Sequence, residues 1–446
     1  MLIIWGTIAV LTAGLIVWLV ASSYGQPAVE TAGERPSATQ AERTPAPDAD
    51  PGTPTPWPTQ VIIIATRHPG TEVPVPQTNT PLPVPPLDQS FVAAGYDPLT
   101  GLKAADPALL NRRPVAVKVS NAPRALRAYQ SGLTLADVVY EYYIEDQLTR
   151  FIAVFYGKDA SKAGPVRSGR YFDEHVMRMY RSSLVFASAD LRVRNYLINS
   201  PDLLPLLFLQ RGDNCPPLCV DNTVPISASD GYNNLFVDTA GVGKFLTDNS
   251  KQDLRPSFFY GAVGAYSSER ITDIYTHYSP RSYDYWEFNP LQQKYLRYTD
   301  SADALGGQDT EVYTPHIDHL TGQQLAADNV VEILVPHNFK TPFDRADQLF
   351  DIQLFGTGPA YVFSKGYAYI GTWIRDQLDQ PIKLMGNNNL PIRLQPGETY
   401  YEVIDPESMI AQSGTRVDFT FYIPPRVLTP TPTPTRFRPT PAKHNH

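Results

Sequence analysis

Asp137-Val-Val-Tyr-Glu-Tyr-Tyr-Ile144, Glu145-Asp-Gln-Leu148 and Thr149-Arg-Phe-Ile-Ala-Val-Phe-Tyr156 follow one another without a break. The outer two segments have strand length and are built from β-branched and aromatic residues, which suit a pleated surface. The four residues between them, three of them polar, are enough to close a hairpin. Before this hairpin, Pro114-Val-Ala-Val-Lys-Val119 reads as a further strand. After it, Phe172, Val176, Met179 and Tyr180 share one face of a helix expected over 171–181, followed by a strand at 183–188 and a short helix at 190–198. Further along, 283–288 and 294–298 flank an Asn289-Pro290 turn and form another expected hairpin. Strands then dominate, at 329–335, 351–355, 360–364, 367–373, 399–404 and 416–423. The fold class is therefore α+β: a mixed α/β N-terminal domain over 91–260, then a mainly β C-terminal domain over 270–423.

Proline marks the limits of this block. Of 43 prolines in 446 residues, 15 lie between Pro27 and Pro86 and 7 between Pro424 and Pro441. The flanks 23–90 and 424–446 carry repeats such as Thr53-Pro-Thr-Pro56 and Thr429-Pro-Thr-Pro-Thr-Pro-Thr435. Such sequence favours extended polyproline II and cannot bury a core, so it reads as a disordered stalk and tail. Thr-Pro alternation is also the composition of O-glycosylated stalks. Fully extended, the stalk would reach roughly 200 Å. Residues 1–22 contain no charge and are almost wholly apolar, with Trp5 and Trp18 near the ends. That length can span a hydrocarbon core of about 30 Å, so it reads as a transmembrane anchor or an export signal. The h-region is long and no basic residue precedes it, which favours an uncleaved anchor with the bulk of the chain outside the cell membrane.

The composition excludes a collagen, a multi-span membrane protein, a coiled coil and a disulfide-stapled miniprotein. Cys215 and Cys219 are the only cysteines, and their spacing fits neither a C-x-x-C redox pair nor a zinc site. In an oxidising compartment a local disulfide is the economical reading; two free thiols are the alternative. No metal and no cofactor is expected. Signatures for a serine-hydrolase elbow, a zincin, a phosphate loop and an EF-hand are all missing.

Charge is unevenly spread. The whole chain is formally −8, yet residues 112–194 hold 14 Lys plus Arg, 11 of them Arg, against 8 Asp plus Glu. Arginine's planar fork suits carboxylate and phosphate. Outside the cell, an anionic wall polymer, an acidic glycan or an envelope protein fits this excess better than nucleic acid does.

Several ordered motifs carry a resemblance. Asp97-Pro-Leu-Thr-Gly-Leu102, Arg112-Arg-Pro-Val-Ala-Val117, Gln130-Ser-Gly-Leu133, Ala136-Asp-Val-Val-Tyr-Glu141, Thr149-Arg-Phe151 and Gly164-Pro-Val-Arg-Ser-Gly-Arg170 resemble the N-terminal region of the YerB-like family of predicted bacterial lipoproteins. His316-Ile-Asp318, Thr321-Gly322, Asn329-Val330, Gly371-Thr-Trp373 and Leu394-Gln-Pro-Gly-Glu-Thr399 resemble its C-terminal region. The family's function is not established. The resemblance implies an exported, envelope-tethered protein with a two-part α/β architecture. Family members typically carry a lipid on a cysteine near the N-terminus; no such cysteine stands here, so a peptide anchor would replace it.

The candidate ligand-binding set is Arg150, Arg167, Ser168, Arg170, Asp173, Glu141 and Glu145. Arg167, Arg170 and Asp173 sit where a loop enters a helix, and a helix N-terminus already favours anions. The competing reading is a structural Arg-Asp network. Glu141, Tyr143 and Glu145 alternate and would share one face of a strand. If that face met Arg167, paired carboxylates could act on a glycan as acid and base. In the second domain His316, Asp318 and Asn329 form a further candidate motif, with loop ordering as the simpler role for His316 and Asp318. Gly356-Thr-Gly358 reads as a tight turn before a strand. Three functions stay open: a non-enzymatic binder of an anionic envelope component, a glycan-directed enzyme, and an assembly scaffold.

Overall fold

The computed structural model describes residues 94–209, 214–248, 269–344 and 346–425. The expected anchor 1–22, the stalk 23–90 and nearly all of the tail lie outside these residues. Among the described residues no helix is long and apolar enough to cross a membrane.

In chain order the strands are β1 (Val115–Ser120), β2 (Val138–Tyr143), β3 (Thr149–Phe155), β4 (Ser183–Phe186), β5 (Leu207–Leu209), β6 (Leu218–Val220) and β7 (Leu235–Val237). They continue as β8 (Asp273–Ser279), β9 (Ser282–Asn289), β10 (Lys294–Asp300), β11 (Tyr313–Pro315), β12 (Ala326–Ala327), β13 (Asn329–Leu334) and β14 (His337–Phe339). The last are β15 (Phe350–Ile352), β16 (Gly356–Ser364), β17 (Tyr367–Arg375), β18 (Lys383–Gly386), β19 (Thr399–Ile404), β20 (Met409–Ser413) and β21 (Arg416–Thr420). Helices α1 (Asp173–Tyr180), α2 (Leu191–Ile198), α3 (Ile226–Ser229) and α4 (Thr239–Asp248) all precede β8. The fold is α+β.

Ten strands form one sheet in the order β18-β17-β16-β13-β19-β2-β3-β1-β4-β5. The sheet crosses the middle of the sequence: β19 lies between β13 and β2 and runs parallel to both, with Thr399 opposite Asn329 and Val138. Its central strands β2, β3, β13 and β19 are buried at every position, because both faces are covered. On one face lies α1, where Phe172 packs on Tyr142 at a centroid distance of 4.4 Å and the Tyr180 hydroxyl meets that of Tyr140 at 2.5 Å. The other face receives a seven-stranded sheet, β11-β10-β9-β8-β21-β20 with β12 paired to β10. Strands of this second sheet alternate between buried and more exposed positions, as a one-sided sheet must. Apolar side chains such as Val117, Phe151, Val330 and Trp286 fill the core, each worth about 1.5–3 kcal/mol of burial.

Two local readings need correcting. The Gly356-Thr-Gly358 segment is not a turn: it belongs to β16, with Gly358 opposite Trp373. A Cβ at Gly358 would stand 2.5 Å from the Leu334 carbonyl oxygen and 2.6 Å from the Trp373 ring nitrogen. Glycine therefore leaves room for the Trp373 indole to donate to Leu334 at 2.8 Å. Likewise 351–355 is not a strand of either large sheet; β15 pairs only with β14 in a small ribbon.

Candidate functional site

Successive residues of a strand point to opposite faces. On β2, Glu141 faces the second sheet and Tyr142 faces α1, so the candidate residues divide into two groups rather than forming one site.

On the helix face, Asp173 opens α1 and gathers its neighbours. Its Oδ1 accepts from the Tyr142 hydroxyl at 2.6 Å and from Lys118 Nζ at 3.1 Å, and its Oδ2 accepts from the Arg170 backbone N–H at 2.8 Å. Arg170 pairs with Glu145 through Nε at 3.0 Å and Nη2 at 2.5 Å, and also donates to the Ser168 and Gly169 carbonyls. The first N–H groups of α1 are turned back onto the Arg170, Tyr171 and Phe172 carbonyls, so the expected anion site at the helix amides is already filled from within the chain. The unsatisfied donors are the other arginines. Arg150 is buried and, among the described residues, donates only to the Thr149 carbonyl and has an Nε without a partner. Burial first, then Arg170 and Arg167, push its pKa down to about 9. The half-buried Arg167 stacks on the Tyr232 ring at 4.5 Å; its Nε is also unpartnered, and burial lowers its pKa. Neither Arg150 nor Arg167 forms an ion pair among the described residues. Ser168 hydrogen-bonds Ser188 at 2.9 Å beside them. Lys118 is wholly buried, and burial brings its pKa down to about 7 in spite of Asp173.

The loop that presents Arg167 and Arg170 is fixed by its own sequence. Gly164 has φ +146°, and a Cβ there would lie 2.9 Å from the Leu235 carbonyl oxygen. Only glycine lets the backbone run that close to β7. Val166 N–H then bonds Leu235 at 2.6 Å and Arg167 N–H bonds Lys118 at 2.9 Å, which sets the arginine at the sheet edge.

The opposite face is acid-rich and dry. Glu141, Asp284, Glu332 and Glu402 are all at most 1% exposed. Arg297 reaches from β10 to ion-pair with Glu141 and with Asp284, at 3.1 Å to the latter. Glu141 also accepts from Thr149 and Asn121, Glu402 from Trp286 and Tyr278, and Glu332 from Thr276. Asp284 Oδ1 and Glu332 Oε2 have no partner. Burial first, and then mutual repulsion, raises these carboxyls, Glu402 to about 8 and Asp284 and Glu332 well above their usual range. Glu141, Asp284 and Glu402 approach within 4.8 Å of one another, a spacing that a metal could use. The Arg297 guanidinium already occupies the gap between two of them, and the surplus negative charge is relieved by protons.

Glu141 therefore meets Arg297, not Arg167, and stands on the far side of the sheet from Asp173. A catalytic carboxylate pair made from Glu141 and Asp173 is not assembled. Glu145 also leaves the face of Glu141: it follows the strand and turns to Arg170. His316 belongs to the acid-rich side, where its Nδ1 accepts from Arg297 at 2.7 Å and its Nε2 donates to Gln130 at 2.6 Å. Both ring nitrogens are thus taken by a neutral imidazole. Asp318 instead caps the turn before β2, accepting from the Gly132 and Thr134 N–H groups at 3.1 and 2.9 Å. Asn329 ties to Gln395 through both ends of its amide. These three do not converge. Cys215 and Cys219, the latter in β6, are disulfide-bonded.

Residues 99–208 match the family described as "Protein of unknown function (DUF3048) N-terminal domain", and residues 274–401 match its C-terminal domain. The chain belongs to the DUF3048 family. A segment of 75 residues is 49% identical to a predicted lipoprotein, YerB, of Bacillus subtilis (strain 168), covering 17% of this chain and 22% of that protein. The alignment thus spans about a fifth of that relative's length. The crystal structure of the YerB protein from Bacillus subtilis superposes with a TM-score of 0.56 at 20% identity, over 69% of this chain and 96% of that one. That likeness establishes the shared fold. In this DUF3048 chain, Lys118, Tyr142 and Arg297 were not among the residues singled out by sequence. Lys118 could have been noticed as a lone charge in an apolar strand; Tyr142 and Arg297 gave no local signal.

Proposed function

We propose that this protein is an extracytoplasmic, membrane-tethered envelope protein that binds an anionic envelope ligand at the surface presented by Arg167 and Arg170, with the buried Arg150 beside them. The tether rests on the apolar segment 1–22 and on the lipoprotein name of the B. subtilis relative. On this reading the apolar segment 1–22 is itself the tether.

The observation that carries the binding reading is the charge imbalance on the helix face. Four basic groups, Lys118, Arg150, Arg167 and Arg170, stand against Asp173 and Glu145, and two of the arginines have no acid partner among the described residues. Buried guanidinium without a counter-charge is costly, and a carboxylate or phosphate fork would relieve it. The test is binding of the full-length protein to poly(glycerol phosphate) chains. Affinity should fall with salt and drop by about 10-fold or more in Arg167→Ala plus Arg170→Ala. Binding that ignores salt or survives the double substitution would sink the proposal.

A further inference from the structure

A second concavity lies at the other end of β2. Thr134, four residues before that strand, and Glu398, immediately before β19, line an open groove of about 420 Å³ together with the polar side chains of Lys294, Gln292, Gln323 and Gln324. The volume falls within the roughly 300–1,000 Å³ of small-ligand sites. Six residues of β2 separate it from Glu145, about 20 Å at the rise of a strand, so it is distinct from the arginine surface.

The wall charges are spent on each other. Lys294 Nζ lies 2.7 Å from Glu398 and 3.1 Å from Asp328, while Lys158 holds the other Glu398 oxygen at 2.7 Å. No net charge is left to select an ion. The side-chain amides of Gln292 and Gln323, both exposed, bond no protein group among the described residues, whereas Gln324 is fixed by donating to the Arg297 carbonyl at 2.8 Å. Each free amide offers two donors and an acceptor, which complements hydroxyl groups that both give and take. The apolar part of the lining is Leu296 of β10, opposite Ala326 of β12. An apolar pair beside neutral amides matches a pyranose ring, with C–H groups on its face and hydroxyls around its rim.

We infer that this groove binds a neutral glycan chain. The experiment is calorimetric titration of the full-length protein with linear tetramers of N-acetylglucosamine and of glucose, at low salt and at roughly 0.5 M salt. At least one tetramer should bind with an affinity that salt leaves within about twofold, and Gln292→Ala plus Gln323→Ala should weaken it about 10-fold. Ala326→Trp, which fills the apolar part of the lining, should abolish it, and Arg167→Ala plus Arg170→Ala should leave it unchanged. The inference is overturned if neither tetramer binds at millimolar concentration, if binding declines with salt, or if the glutamine pair has no effect in a protein with unaltered thermal unfolding.

Discussion

The two faces of β2 bury opposite kinds of surplus charge. Toward the second sheet, four carboxyls surround one arginine in a space closed to water. Toward α1, four bases face two acids, and this group reaches the surface at Arg167, Ser168 and Arg170. The difference is one of available remedies. A closed acid cluster can be neutralised only by protons, which carboxyls take up readily when buried. Arginine holds its proton far more tightly, so an unpaired arginine near the surface is best relieved by an anion from outside. The dry face thus reads as structural, and the wetter one is where the proposed ligand would be held.

The largest blow to this contrast is Arg297→Met. It leaves Glu141 and Asp284 without their shared cation and should cost about 3–5 kcal/mol in denaturant unfolding. A loss under about 1 kcal/mol would mean that protons alone already neutralise the acid face and that the arginine is dispensable there.

Titration sharpens the contrast further, because the two faces have opposite signs. Glu402 holds its proton more tightly when folded, with a pKa of about 8 instead of 4.5. Its contribution is full below pH 4.5 and is lost as pH rises toward 8. Lys118 behaves inversely, with a folded pKa of about 7 instead of 10.5. Its contribution is full above 10.5 and is lost as pH falls toward 7. Stability should therefore decline from pH 5 to about 7, stay level between about 7 and 8 where the two slopes cancel, and recover from about 8 to 10, each group contributing at most about 1.4 kcal/mol per pH unit. Glu402→Gln should flatten the lower limb and Lys118→Met the upper one. Thermal unfolding across that range checks both, and a single limb altered by both substitutions would refute the separation of the faces.

The smallest expected effect has the opposite sign to the others. Arg150→Met replaces a buried, unpaired cation by an apolar side chain of similar length. It should raise stability by about 1 kcal/mol while weakening poly(glycerol phosphate) binding. A variant that is both destabilised and fully competent to bind would remove Arg150 from the ligand surface.

How much of this was legible in the sequence depends on range. The β2–β3 hairpin, β1, α1 and α2 follow from local periodicity. So does the β9–β10 hairpin, whose two strands alternate cleanly about Asn289-Pro290. Strand β8 escaped because Asp273-Ile-Tyr-Thr-His-Tyr-Ser279 mixes polar residues into its buried positions, Thr276 being there to serve Glu332. Of the candidate residues, Arg167, Arg170, Asp173 and Glu145 do come together, since a single loop and hairpin bring them close. The partner of Glu141 could not be foreseen. Arg297 lies 156 residues away on another sheet, and no short-range pattern encodes that pairing. Glu141 and Glu145 share the parity of one strand, yet β2 ends at Tyr143, so the alternation stops before it reaches Glu145.

The insertion of β19 between β13 and β2 also sets a timetable. While the chain is being made, one hydrogen-bonding edge of β2 has no partner until Thr399 has emerged, some 256 residues after Tyr143. At about 5–20 residues per second, that edge stays open for tens of seconds. For a chain exported as proposed above, the consequence is that the large sheet cannot close until its last central strand arrives.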